Sequence, residues 1–265
     1  MPKIRVNDIE LNVVDRGEGP PVLFVHGFPL NHTMWNAQLD GLSHSFRVIA
    51  PDLCGFGDSD VVEGTVSMEQ FADDLNALID ALGIDGPISL CGLSMGGYVA
   101  FQFVRKYSDR LESLILCDTR ALADTPDAAS ARLKTAEAVL AHGPNRIFQA
   151  MQPKLFAEST PATQPEIVDR VRAMILNTHP AGIAAALRGM AERPDSFAIL
   201  GGIDIPTLVI AGAEDAISPP EELRQLAAAI PQAKFVEIAD AGHMSPMEKP
   251  MAFNSALQDF VDVLH

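Results

Sequence analysis

Residues 86–104, GPISLCGLSMGGYVAFQFV, carry no charged side chain and are mostly apolar. A bilayer-crossing helix needs about 20 such residues, so this stretch forces a choice between a membrane span and a buried piece of a globular fold. Pro87 at its start and Gly92, Gly96 and Gly97 in its middle decide against one continuous helix. Glycine weakens strand and helix interiors by roughly 0.5–1 kcal/mol against alanine. A buried strand, a tight turn at Ser94 and a buried helix in succession fit the pattern better, and no membrane association is expected.

The same alternation runs through the first 120 residues. VLFVH (22–26), FRVIAPD (46–52), ISLCG (88–92) and LESLILCD (111–118) read as buried strands. Between them, 34–41 and 68–82 read as helices; in the second, Phe71, Leu75, Leu78, Ile79 and Leu82 recur at helical spacing and Gly83 stops the run. A further helix follows Ser94. The N-terminal MPKIRVNDIELNVVDRG alternates like a pair of edge strands and has no apolar signal-peptide core. Strands separated by helices imply an α/β fold with a parallel sheet covered on both faces. From 121 to 197 only helical segments occur, interrupted by prolines at 126, 144, 153, 161, 165, 180 and 194. The strand rhythm resumes with TLVIAG (207–212), a helix from 219 to 229, KFVEI (234–238) and a last helix from 246 to 264. The expected organisation is a core of 1–120 and 198–265 with a helical cap of 121–197 inserted into it.

Composition narrows the function. Nineteen basic against 35 acidic residues give a formal charge of −16. A field of that sign repels nucleic-acid backbones and anionic membranes, so neither is an expected partner. Cys54, Cys91 and Cys117 cannot all pair within one chain, and no CxxC or Cys/His cluster has metal spacing. A reducing, cytoplasmic setting and no metal follow as expectations. PDLCGFGDSD (51–60) matches neither G-x-G-x-x-G nor the P-loop; it reads as a tight turn in which Asp52 bonds local backbone.

Gly92-Leu93-Ser94-Met95-Gly96 fits the G-x-S-x-G nucleophile elbow, in which a sharp strand-to-helix turn holds the serine out at the sheet's edge. A serine hydroxyl needs a base. His243, in DAGHMSP, lies between the strand KFVEI and the last helix, at the same edge. His32, His44, His142 and His179 lack a partner motif and read as structural or solvated; His265 is terminal. The base needs an orienting carboxylate. Asp215 follows the strand TLVIAG at that edge and gives the chain order Ser, Asp, His expected for such a sheet; Asp118, at the end of LESLILCD, is the rival, and Glu214 is expected to point elsewhere. A developing oxyanion requires backbone N–H donors. Met95, directly after the serine, and Phe28, in the His26-Gly27-Phe28-Pro29 loop, are the candidates, since Pro29 has no N–H to give. His26 is expected to brace that loop.

HGFP, DLCGFGDS, GLSMGG, GAEDAISP and AGHMSPMEKP, in this order over nearly the whole chain, resemble the α/β-hydrolase family. The resemblance implies an eight-stranded, mostly parallel sheet with a helical cap after the sixth strand. It also implies Ser94 as nucleophile, His243 as base, Asp215 as acid and the Phe28 and Met95 N–H groups as oxyanion hole. HGFP and GFGDSD also look like epoxide hydrolases and haloacid-type dehalogenases, but those use an aspartate where this chain has Ser94. ALGIDGPISLCGLSMGG and AGHMSPMEKPMAFNSALQDF are similar to the 3-oxoadipate enol-lactonase and small bacterial carboxylesterase branch, whereas HGFPLNHTMW departs from the lactonase pattern.

The expected activity is therefore hydrolysis of a small-molecule carboxylic ester or lactone through an acyl-enzyme, without cofactor. Carbon–carbon bond hydrolysis, cofactor-free perhydrolysis and a low-turnover receptor are the alternatives on the same residues. Substrate-pocket candidates are Trp35 after the oxyanion loop, Arg120 at the cap's entrance, and Met151 and Phe156 in the cap. Phe148, Leu155, Met174 and Ile175 share the cap's helical spacing and read mainly as packing residues.

Overall fold

The computed structural model describes residues 3–264; Met1, Pro2 and His265 lie outside the described residues. Strand β1 (Lys3–Val6) and strand β2 (Ile9–Arg16) form an antiparallel hairpin turning at Asn7. Alternating elements follow: β3 (Pro21–Val25), α1 (Asn36–Leu42), β4 (Arg47–Pro51), α2 (Met68–Ala81), β5 (Ile88–Leu93), α3 (Met95–Tyr107) and β6 (Leu111–Cys117). A helical insert then runs through α4 (Pro126–His142), α5 (Asn145–Leu155), α6 (Thr160–Thr163), α7 (Pro165–Asn177) and α8 (Pro180–Ala191). The chain closes with β7 (Thr207–Gly212), α9 (Pro220–Ala229), β8 (Lys234–Ile238), α10 (Ser245–Glu248) and α11 (Pro250–Val261).

The strands form one eight-stranded sheet in the order β1-β2-β4-β3-β5-β6-β7-β8. Pairing is parallel from β4 through β8, and antiparallel where β2 meets β1 and β4. Every residue of β5 is buried, as a strand covered on both faces requires. The chain leaves β3 towards β4 on one side and returns to β5 on the other. The loops at the carboxyl ends of β3 and β5 therefore diverge, and the crevice between them is where open α/β sheets bind ligands.

The uncharged stretch 86–104 forms β5, a turn and most of α3, and no helix among the described residues is long and apolar enough to cross a membrane. Three of the seven insert prolines start helices: Pro126, Pro165 and Pro180 occupy first helical positions, where no N–H is needed. Pro153, expected to interrupt, instead sits inside α5. The last helix, expected to be continuous, breaks at Lys249, because a residue before proline is pushed out of the helical region.

Candidate active site

Ser94 joins β5 to α3 with φ 54° and ψ −112°, a left-handed backbone that strains a residue bearing a Cβ by roughly 1–3 kcal/mol. The surroundings hold it there. Its N–H donates to Cys117 O at 2.9 Å, and its carbonyl accepts from Thr119 Oγ1 at 2.7 Å and Gly97 N at 2.9 Å. The glycines answer to close approach. A Cβ on Gly92 would meet Gly97 N at 2.8 Å, one on Gly96 would meet Val25 C at 2.9 Å, and one on Gly97 would meet Thr119 Cβ at 2.6 Å. The turn thus packs against β3 and β6 with no room for side chains.

His243 and Asp215 are each 3% exposed, and His243 Nδ1 lies 2.7 Å from Asp215 Oδ2. The other carboxylate oxygen, Oδ1, accepts from Ile217 N at 2.7 Å and Ser218 N at 2.9 Å. With Nδ1–H as the donor of the bond to Oδ2, Nε2 is left as the ring's acceptor. Asp118 is engaged elsewhere: its Oδ1 accepts from Gly212 N at 2.7 Å and its Oδ2 from Ser245 Oγ at 2.5 Å. Burial, aided by the neighbouring charge of Asp215, pushes its carboxyl well above the usual carboxylate range. Glu214 points away and accepts Glu158 N at 2.9 Å.

The loop after β3 runs beside the elbow: a Cβ on Gly27 would lie 3.4 Å from Ser94 Cβ. Met95 N is the first helical N–H of α3, and such groups have no partner within their own helix. His26 fixes the loop. Its Nε2 accepts from Leu53 N at 3.0 Å, so its Nδ1 donates to Gly27 O at 2.9 Å. Complete burial drives its pKa from 6.5 down to about 4, so the ring is neutral.

A cavity of about 720 Å³ is lined by Phe28, Arg120 and Ile217 together with residues of α4 and α5. Ser94 and His243 do not themselves line it; its link to them is Phe28 and Ile217, whose N–H is bonded to Asp215. Met151 and Arg120 are among its lining residues. The Arg120 guanidinium is committed to Ile217 O and to Glu222 Oε2 at 3.5 Å. Trp35 does not wall the cavity. It is fully buried between Phe24 and Phe253, with centroids at 5.1 and 5.9 Å, because the short helical turn carrying it faces the core. Phe156 does not line it either: it is 7% exposed, and its backbone abuts Gly242. Among the described residues no group of three or more His, Cys, Asp or Glu side chains could hold a metal ion.

Residues 20–250 match the model of the alpha/beta hydrolase fold family. The chain belongs to that family. A solved thermophilic esterase from Thermogutta terrifontis, with malate bound, is 52% identical with a TM-score of 0.97, over 99% of this chain and 98% of its own. The enol-lactonase from Burkholderia xenovorans is 30% identical with a TM-score of 0.91, over 98% of this chain and all of its own. The 3-oxoadipate enol-lactonase 1 of Acinetobacter baylyi is 30% identical over 91% of this chain and 88% of its own. This chain is accordingly an α/β hydrolase similar to esterases and enol-lactonases.

Three buried polar groups of the hydrolase escaped the sequence reading. His32 has a partner: its Nδ1 lies 2.7 Å from Asp52 Oδ1. Burial opposes charge on Asp52, but the bonds from His32 and Asn12 together hold its carboxyl below the usual range. Ser245 is bound by Asp118. Glu248, 2% exposed, accepts bonds from both the insert and the histidine loop. Its only signal was a lone acid among apolar residues in HMSPMEKP.

Proposed function

We propose that this hydrolase cleaves carboxylic ester or lactone bonds through an acyl-enzyme. Ser94 Oγ attacks the carbonyl carbon while His243 Nε2 takes the hydroxyl proton. Asp215 holds the imidazole in the tautomer that makes this possible and stabilises the imidazolium. The N–H groups of Phe28 and Met95 receive the oxyanion. Collapse expels the alcohol, protonated by His243, and water then repeats the sequence on the acyl group. No metal or organic cofactor enters the scheme. Residues 121–197 act as a cap over the core of 1–120 and 198–265, with Arg120 and Met151 contacting substrate in the cavity between them.

The observation that carries this reading is the strained Ser94 turn at the sheet edge where the buried Asp215–His243 pair also lies. The esterase and lactonase relatives support ester or lactone substrates. Steady-state hydrolysis of p-nitrophenyl esters from acetate to decanoate tests it. Ser94→Ala is expected to retain the fold and to lose kcat by on the order of 10⁴–10⁶. Full activity in that variant would refute the scheme.

A further inference from the structure

The insert does more than border the cavity. Residues 155–160, from the last residue of α5 to the first of α6, are bound to both sides of His243. Met244 N donates to Leu155 O at 3.1 Å. Gly242 N donates to Glu248 Oε1 at 2.9 Å, while Glu248 Oε2 accepts from Ala157 N at 2.9 Å and from Thr160 Oγ1 at 2.5 Å. The backbones meet closely: a Cβ on Gly242 would lie 2.5 Å from Ala157 N. The same segment reaches the acid's loop through the bond from Glu158 N to Glu214, directly before Asp215.

Burying a carboxyl is unfavourable unless its oxygens are bonded. Here each oxygen is bonded, and burial raises the group's pKa while these bonds oppose the rise. An apolar residue would fill the space but leave the N–H groups of Gly242 and Ala157 buried without acceptors. Glutamine would turn an NH₂ towards one of those two donors. The site therefore specifies a carboxylate by its donors, and one of those donors is the amide preceding His243.

We propose that Glu248 is a positioning residue that clamps residues 155–160 of the insert onto the histidine loop and thereby sets His243 against Asp215. This rests on the reading of His243 as the base. The consequence is that the insert, whose helix α5 lines the cavity, is mechanically joined to the proton-transfer end of the site. A displacement of a catalytic group by about 1 Å lowers rates by up to roughly 100-fold.

The test is Glu248→Gln in the full-length enzyme, followed by kcat, KM and the pH profile of kcat/KM on a short p-nitrophenyl ester. Roughly a 10- to 100-fold loss of kcat is expected, with KM nearly unchanged and the acidic limb of the profile displaced. Thr160→Val, which deletes one donor, is expected to give a smaller loss, and the double variant no more than Glu248→Gln alone. Lowered thermal stability with unchanged kcat and pH profile would reduce Glu248 to a structural role and overturn the proposal. If Glu248→Gln does not fold, Thr160→Val decides on the same readouts. The downfield His243 Nδ1–H proton signal, expected to shift or broaden in both variants, needs no turnover. An unshifted signal counts against positioning even if Ser94-independent kinetics were to refute the proposed function.

Discussion

Helices α3 and α4 have similar lengths and opposite circumstances. In α3, nine of 13 residues are buried, among them every residue from Met95 to Phe103. In α4, two of 17 are buried, Ala136 and Val139, and Leu133 and Leu140 stand 45% and 46% exposed. Helix α3 begins directly after the candidate nucleophile and is packed against β5, β6 and α2. Helix α4 leans on α8, and α8 meets the core where Gly182 lies against Gly55 and Gly189 against Val66. The candidate nucleophile and the cavity wall thus rest on parts of different tolerance. A change in α3 strikes both the fold and Ser94, while a change in α4 alters the cavity wall and leaves the sheet intact.

The largest effect that sharpens this contrast is on the chemistry at the sheet edge. Asp215→Asn is expected to lower kcat by about 10⁴ through the wrong imidazole tautomer. Asp118→Asn, whose bonds go to Gly212 and Ser245, is expected to cost far less. Equal losses in the two variants would reverse the assignment. Gly96→Ala comes next. Its methyl would press on the backbone of β3 and destabilise the fold by about 1–3 kcal/mol, read as a lowered urea midpoint; a neutral result would show that the elbow yields.

The His26 ring is expected to add a pH dependence of similar size. Its pKa is lowered on folding from 6.5 to about 4, so the unfolded chain binds the proton first. Stability from this group is complete above about pH 6.5 and lost as pH falls towards about 4, on the order of 3 kcal/mol. Asp118 and Glu248, with raised values, act in the opposite sense. The comparison therefore lies between the parent and His26→Asn: urea unfolding at pH 7 and pH 4.5 is expected to show the steeper acid loss in the parent. The smallest effect is expected in the insert. Leu133→Ala is expected to change stability by less than about 0.5 kcal/mol; a loss above 1 kcal/mol would mean that α4 is covered by something in solution.

The strands were legible because each is a short apolar run between turn residues; TLVIAG and KFVEI occupy 207–212 and 234–238 as read. Helix ends were less so, since Lys249 breaks a run whose apolar periodicity continues past it. Ser94 was legible because a strained turn needs glycines at fixed offsets, and offsets survive in a linear string. Trp35 and Phe156 are both buried and off the cavity lining for the converse reason: the sequence names an aromatic near a site but not the face it turns to.

By itself, then, the sequence determined the α/β alternation, the place of the insert and the elbow, all governed by local periodicity and backbone sterics. Only the tertiary structure decided between Asp118 and Asp215 as the partner of His243, paired His32 with Asp52, and tied Glu248 to both the insert and the histidine loop. Those choices depend on hydrogen bonds between residues 6 to 91 positions apart. Such bonds are short-range in space and leave no period in the chain.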